Sequence, residues 1–349
     1  MKVQPVRLEP QFVPRIWGAR SLAPLYPHKN LSEPIGEAWL TGNDSLFADG
    51  PFAGRKLAEA WRAMPPQWAG TRLDTGKPFP LLVKFLFPED ILSVQVHPDD
   101  DYARAHEAAT GWTGKTEMWH ALAARDGAEV LVGLKPEVTR DSFRRAIADG
   151  TAEQCLERLR VLPGDTYFVP AGTVHTIGPG LVLCEIQENS DLTYRVFDYS
   201  RKGPDGKPRP LHIEKALEVS CFGAQAGGKW PPLRFDQGPL IETFCAACRY
   251  FVTERWELTE RISRATAPER FELLIFVEGA GHIEAAGTEH GYARAQVWLL
   301  PAALGPYHLA PASRTTLLRA YVPDLDRLAA QLAERRVSAD LISRFIFRA

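Results

Sequence analysis

Four residues in the first half of the chain carry the donor types of a metal centre. Gln95 and His97 stand in Ser93-Val94-Gln95-Val96-His97-Pro98-Asp99-Asp100, Glu117 in Gly114-Lys115-Thr116-Glu117-Met118-Trp119, and His175 ends a run that begins at Gly164. Side chains alternate along a strand, so Gln95 and His97 share a face and can offer an amide oxygen and an imidazole nitrogen to one ion. Glu117 adds a carboxylate after an excursion that holds an aspartate-capped helix, and His175 a second imidazole. Two imidazoles, a carboxylate and an amide oxygen are hard-to-borderline ligands that suit zinc, with water or substrate completing the shell. Singly they say little, because a lone histidine is more often a packing residue than a ligand.

The elements that must gather these side chains are mostly strands. Runs at 81–87, 91–96, 130–133, 166–170 and 181–187 are short, apolar and punctuated by Gly and Pro, the texture of a sandwich or barrel. Helical signals are local: residues 99–109 open on aspartates suited to capping, and 139–148 end before Gly150. From Gly164 a strand leads to Pro170, and Ala171-Gly172 reverses the chain so that His175 starts the return strand pointing inward. The spacing G-x5-P-x-G-x2-H, filled by Gly164, Pro170, Gly172 and His175, resembles the second motif of the cupin superfamily, with Pro179 where that motif often has Asn.

Residues 204–208 (Pro-Asp-Gly-Lys-Pro) read as an exposed turn and 223–232 as the best linker. The expected organisation is a catalytic domain at 1–222 with helical insertions, a linker at 223–239, and a second domain at 240–349 with a terminal helix. In that second domain the same template falls on residues 295–306: Pro301 aligns with Pro170, but Ala303 replaces Gly172 and Pro306 stands where His175 stands. His282, His290 and His308 are present without an acidic residue placed as Glu117 is. The expected fold is therefore mainly β, two cupin-like jelly-roll barrels with short decorating helices, and one zinc per chain in the first.

At 349 residues the chain exceeds the usual limit of one hydrophobic core. Hydrophobic residues are 45% and charged ones 24%, and the formal net charge of -2 creates no field that would attract nucleic acid or an anionic membrane. No apolar run is long enough to span a bilayer and residues 1–10 lack a secretory core, so a cytoplasmic protein is expected. The five cysteines make no disulfide framework, and Cys245 and Cys248 lack the second pair that a zinc ribbon needs, which leaves them as buried thiols. Composition leaves the oligomeric state open.

The ordered set SVQVHPDD, KTEMWH, GDTYFVPAGTVHTIG, CEIQENSDLTYRVFDY and LHIEKAL resembles the type I mannose-6-phosphate isomerases in their short bacterial form. Arg15-Ile16-Trp17-Gly18 and Ile35-Gly36-Glu37-Ala38-Trp39 support it, and the match covers residues 10–220, with the remainder in outline. The resemblance implies a zinc held by Gln95, His97, Glu117 and His175, a sugar phosphate as substrate, and an exchange of aldose and ketose through an enediolate. It implies Arg195 beside the reacting oxygens, Lys115 or Glu185 as the group that moves the proton, and Ser93 with Lys84 at the phosphate. Long forms of the family carry a His where this chain has Gly114, so a mechanism using that His as base does not transfer. Two other readings stand beside it: another metal-dependent cupin enzyme, such as an iron dioxygenase, and a sugar-binding protein on the same scaffold.

Overall fold

The computed structural model describes residues 2–203, 206–223 and 227–348. The turn expected at 204–208 and the stretch 223–232 thus lie partly outside the described residues, at 204–205 and 224–226.

Among the described residues the chain is mainly β, and its strands form four sheets. In the first half, a five-stranded sheet has the order Tyr194–Phe197, Val94–Val96, His175–Ile177, Glu129–Leu134, Leu156–Arg160. A seven-stranded sheet has the order Gly228–Lys229, Thr166–Val169, Glu117–Ala124, Leu181–Glu188, Leu81–Leu86, Ile35–Trp39, Gln11–Ala19. In the second half, an eight-stranded sheet runs Val6–Leu8, Val297–Leu300, Glu272–Glu278, Thr315–Tyr321, Val252–Leu258, Leu240–Cys248, Leu233–Asp236, with Ile346–Phe347 parallel to Leu240–Cys248. A four-stranded sheet runs Ile262–Ala265, Pro306–Pro311, Ala280–Ala285, Thr288–Ala293. Closed barrels were expected, yet no sheet closes on itself: the two sheets of each half meet through side chains, not through strand pairing.

The packing order follows from which face of each strand is apolar. Trp119, Tyr167, Val169 and Leu183 of the seven-stranded sheet pack against Val130, Val132 and Ile177 of the five-stranded one. Leu274, Phe276, Trp298 and Leu317 of the eight-stranded sheet pack against Ile283, Tyr292, Tyr307 and Leu309 of the four-stranded one. The outer faces of the two large sheets then share a core through Val83, Phe85, Met118 and Ile186 on one side and Leu273, Ile275, Leu299 and Leu318 on the other. The strand Leu81–Leu86 is therefore buried on both faces, which is why it reads LLVKFL without alternation. Its one charged residue, Lys84, faces the inter-sheet space of the first half.

Helices decorate this framework as expected. Asp99 accepts from the Tyr102 backbone N–H at 2.8 Å to start Asp100–His106. Thr139 and Ser142 form a capping box for Arg140–Ala148, whose Phe143 and Ile147 cover the outer face of the five-stranded sheet. Asp324 and Ser338 cap Leu325–Glu334 and Ala339–Phe345, which close one end of the eight-stranded sheet. Cys245 and Cys248 are both 1% exposed, as buried thiols should be.

The halves exchange edge strands. Val6–Leu8, at the N-terminus, pairs with Val297–Leu300, and Gly228–Lys229, from the stretch expected as a linker, pairs with Thr166–Val169. These are corresponding edges of the two large sheets, so each half caps the other's unpaired backbone. Leu8 is 1% exposed in the shared core. Leu8→Ala is expected to lower stability by about 2–5 kcal/mol, measured by chemical denaturation, with metal content unchanged. An unaltered midpoint would show that this strand adds nothing to the second half.

Candidate metal centre

Cross-strand rows bring the expected ligands together. In the five-stranded sheet Arg195 lies opposite Gln95, and Gln95 opposite His175, so the three side chains stand in one row on one face. In the facing sheet one row holds Val169, Glu117 and Gln187, and the next holds Tyr167, Trp119, Glu185 and Lys84. Gly172, at φ +84°, makes the reversal that delivers His175; its N–H donates to the His97 carbonyl at 2.8 Å, and a Cβ there would lie 2.6 Å from Cys221 Sγ. Gly114 is equally confined. A Cβ on it would meet the backbone of Asp99 and Asp100 at 2.4–2.5 Å, so a histidine in that place would displace the start of the capped helix.

The ligand atoms of His97, Glu117 and His175 all lie within 4.8 Å of one another, and all three residues are buried. His97 Nδ1 is 2.8 Å from the Leu192 carbonyl oxygen and His175 Nδ1 is 2.9 Å from that of Thr173. A carbonyl only accepts, so both rings keep the proton on Nδ1 and turn the Nε2 lone pair inward. Burial holds both imidazoles neutral: it draws His175 down to about 4, and with the nearby Lys115 it draws His97 well below its ordinary value. His97 Nε2 is 3.7 Å and His175 Nε2 3.4 Å from the Glu117 carboxylate.

Glu117 is 1% exposed, and neither carboxylate oxygen accepts a well-aligned hydrogen bond. Lys115 Nζ approaches Oε2 to 2.5 Å, off the hydrogen-bonding line, and is 3.2 Å from His97 Nε2. Burial raises the Glu117 carboxyl to about 7 against the pull of Lys115. A carboxylate without a well-aligned hydrogen bond, facing two imidazole lone pairs, is a donor set that a divalent cation satisfies. Gln95 stands beside it, with its amide nitrogen 3.2 Å from His175 Nε2 and its oxygen 3.3 Å from Ser93 Oγ.

This cluster opens on a cavity of about 310 Å³ whose walls include Lys84, Ser93, Gln95, Lys115, Glu117, Glu185 and Arg195. All the expected site residues except His97 and His175 line it, and those two lie behind Lys115, Glu117 and Gln95. Lys84 Nζ is 3.2 Å from Glu185 Oε1, and Trp119 Nε1 donates to Glu185 Oε2 at 3.0 Å. Burial would raise the Glu185 carboxyl, but Lys84 and Lys115 outweigh it and the net shift is downward. Arg195 makes no ion pair within 4.0 Å among the described residues: Nη1 donates to the Pro210 carbonyl at 3.1 Å and Nε is buried without a partner.

Residues missed at the level of function also line the cavity: Arg15, Glu37, Asp191, Arg209 and His212. Arg15 and Glu37 pair at 2.9 Å, and Arg209 is held by the buried Asp198. Arg15, Glu37, Asp191 and His212 fell inside recognised segments, and the alternation that places Glu37 and Trp39 on one face was the available signal. Arg209 follows a turn and carried no periodic signal.

His175→Ala should lose bound metal, by more than the roughly 10–100-fold typical of disturbing an outer-shell partner. Elemental analysis of dialysed protein reads this, and a variant that keeps stoichiometric metal would remove His175 from the ligand set.

Residues 6–124 match the family described as phosphomannose isomerase type I, catalytic domain. A probable mannose-6-phosphate isomerase of Bacillus subtilis is 35% identical over 309 residues, 87% of this chain and 95% of its own length. The crystal structure of a mannose 6-phosphate isomerase from Bacillus subtilis superposes with a TM-score of 0.83 at 30% identity, over 90% of this chain and 99% of its own. A zinc-bound mannose 6-phosphate isomerase shares the fold at 17% identity, with a TM-score of 0.73 over 92% of this chain and 100% of its own. Identity of this extent over nearly the whole length of both chains, together with the family match, places the protein in the type I phosphomannose isomerase family.

Proposed function

We propose that the protein interconverts mannose 6-phosphate and fructose 6-phosphate, with one zinc per chain held by His97, Glu117, His175 and the amide oxygen of Gln95. The observation that carries this reading is the convergence of two Nε2 lone pairs and a buried carboxylate beside a cavity walled by Lys84, Lys115 and Arg195. Family membership and the zinc-bound relative favour it over a dioxygenase or a non-catalytic sugar binder. Turning the Gln95 amide end for end would present its oxygen to the ion and leave its nitrogen to donate to Ser93 Oγ.

Bound there, zinc supplies a Lewis acid for the carbonyl oxygen of the open-chain sugar. The chain's own groups do the rest. Lys115, beside the ligand cluster, is the group we assign to move the proton between adjacent carbons. Glu185 is the weaker candidate, because Lys84 and Trp119 already occupy its two oxygens and hold it ionised. Arg195 stands in the ligand row without a carboxylate partner, so its charge is free to steady the enediolate oxygens. Ser93 and Lys84 offer a hydroxyl and a point charge to the phosphate end, and Arg15 and Arg209 add forked donors on the same cavity.

Each half also reads as one cupin-like unit, with residues 1–222 carrying the catalytic site and 240–349 backing it. The described helices include none long and apolar enough to cross a membrane.

Chelation should abolish isomerase activity in a coupled assay on mannose 6-phosphate, and added zinc should restore it; full activity in metal-free protein would end the proposal. Arg195→Ala should keep its metal while kcat falls by about 10²-fold, the scale of a lost transition-state donor. A raised KM with unchanged kcat would reassign Arg195 to ground-state binding. Unphosphorylated mannose should be turned over with much lower kcat/KM, because the phosphate supplies remote binding energy.

A further inference from the structure

The large sheets of the two halves run in the same order, and their pairing registers can be laid one on the other. In the first half Glu117 lies opposite Val169, which precedes Pro170; in the second, Glu272 lies opposite Leu300, which precedes Pro301. Glu272 therefore stands where Glu117 stands. The sequence had suggested no acidic residue in such a place, because 28 residues separate Glu272 from Leu300 and only pairing reveals the match. One row further, Trp119, Glu185 and Lys84 in the first half correspond to Leu274, Arg319 and Glu254 in the second. The ionic pair is kept with its charges exchanged between strands.

These side chains face the smaller sheet, as the metal cluster does, and they form a closed network. Arg319 donates to Glu272 from Nε at 2.9 Å and from Nη2 at 2.5 Å. It donates to both oxygens of Glu254 from Nη1 at 3.0 and 2.8 Å. Tyr321 Oη and Trp256 Nε1 complete Glu254 at 2.8 and 2.9 Å, and both rings stack on the guanidinium. Glu254 is 1% and Glu272 0% exposed. Tyr307, next to the Pro306 that aligns with His175, is buried there with its hydroxyl unpartnered.

We propose that the interior of the second half is a cation site whose cation is built into the chain: the Arg319 guanidinium takes the place that the metal takes in the first half. This rests on reading the halves as copies of one cupin-like unit. Two buried carboxylates that a metal and a lysine meet in one copy are met in the other by a planar, permanently charged fork. The second half then takes no metal, and its two glutamates are not free ligands.

The test removes the fork and returns it as a free ion. Arg319→Ala should lower Tm by roughly 10 °C, as expected for stranding buried carboxylates. Guanidinium chloride at up to about 20 mM, far below denaturing concentration, should raise that Tm saturably where sodium chloride does not. Wild type should show no such rise, and Arg319→Ala with Glu272→Gln a weaker one. An Arg319→Ala variant that folds with unchanged Tm, or that ignores guanidinium, would overturn the proposal. Should Arg319→Ala not fold, the triple variant Arg319→Met, Glu254→Leu, Glu272→Leu is expected to fold with one metal per chain, because apolar groups can replace a buried ionic cluster; its failure would also overturn it. None of these readouts is isomerase activity, so a failed functional assignment would leave this test standing.

Discussion

A carboxylate buried between two packed sheets must be paired, hydrogen-bonded or protonated, and the inner faces of this protein are organised around that requirement. Glu37, Glu117 and Glu185 are 7%, 1% and 4% exposed in the first half. Arg15 answers Glu37, Lys84 answers Glu185, and Lys115 stands beside Glu117, whose carboxylate also faces two imidazole lone pairs. The Glu37 carboxyl is held at about 2 because Lys84 and Arg15 outweigh the burial that would raise it. The strand-borne pairs Arg15 with Glu37 and Lys84 with Glu185 thus set alternating charge on the cavity wall, at places fixed by the sheets.

That fixity is traceable through the backbone. The Leu192 carbonyl orients His97, and its position depends on the turn that follows Leu181–Glu188. Gln187, on the same row as Glu117, donates to the Glu188 and Ser190 carbonyls at 2.8 and 2.5 Å, and Ser190 Oγ donates to the Thr113 carbonyl at 2.8 Å. Glu188 accepts the Thr116 N–H at 2.7 Å from the other side of the sheet. The strand that carries Glu185 therefore also clamps the approach to Lys115 and Glu117, so the residues we propose to hold the metal and to move the proton share one support.

Much of this was legible in the sequence. The template from Gly164 to His175 needs one turn type at one place, and the pair Gln95 and His97 needs only strand alternation, so short-range rules were enough. The capping aspartates after Pro98 and the Gly150 that ends the 139–148 run announced those helices for the same local reason. What escaped depended on pairing between distant strands. The exchanged edge strands join residue 6 to residue 299, and no local signal marks Val6–Leu8 as belonging to the second half. Glu272 and Arg319 stand 47 positions apart, and register puts them together. Closed barrels were expected because motif and strand texture do not say whether sheet edges pair; here they do not.

The asymmetry between the halves follows from one missing strand. The five-stranded sheet includes Tyr194–Phe197, which sets Arg195 in the ligand row, whereas the corresponding edge of the four-stranded sheet ends at Ile262–Ala265. Without that strand the smaller sheet of the second half has no residue in the place of Arg195. The Arg319 guanidinium bonds both Glu254 and Glu272 there, and the large sheet that carries it covers the outer face of the sheet that carries Glu117. Buried on both faces, that sheet cannot relax around its charges. The second half thus closes the outer face of the sheet that carries Glu117, Glu185 and Lys84 and holds it against the smaller sheet of the first half.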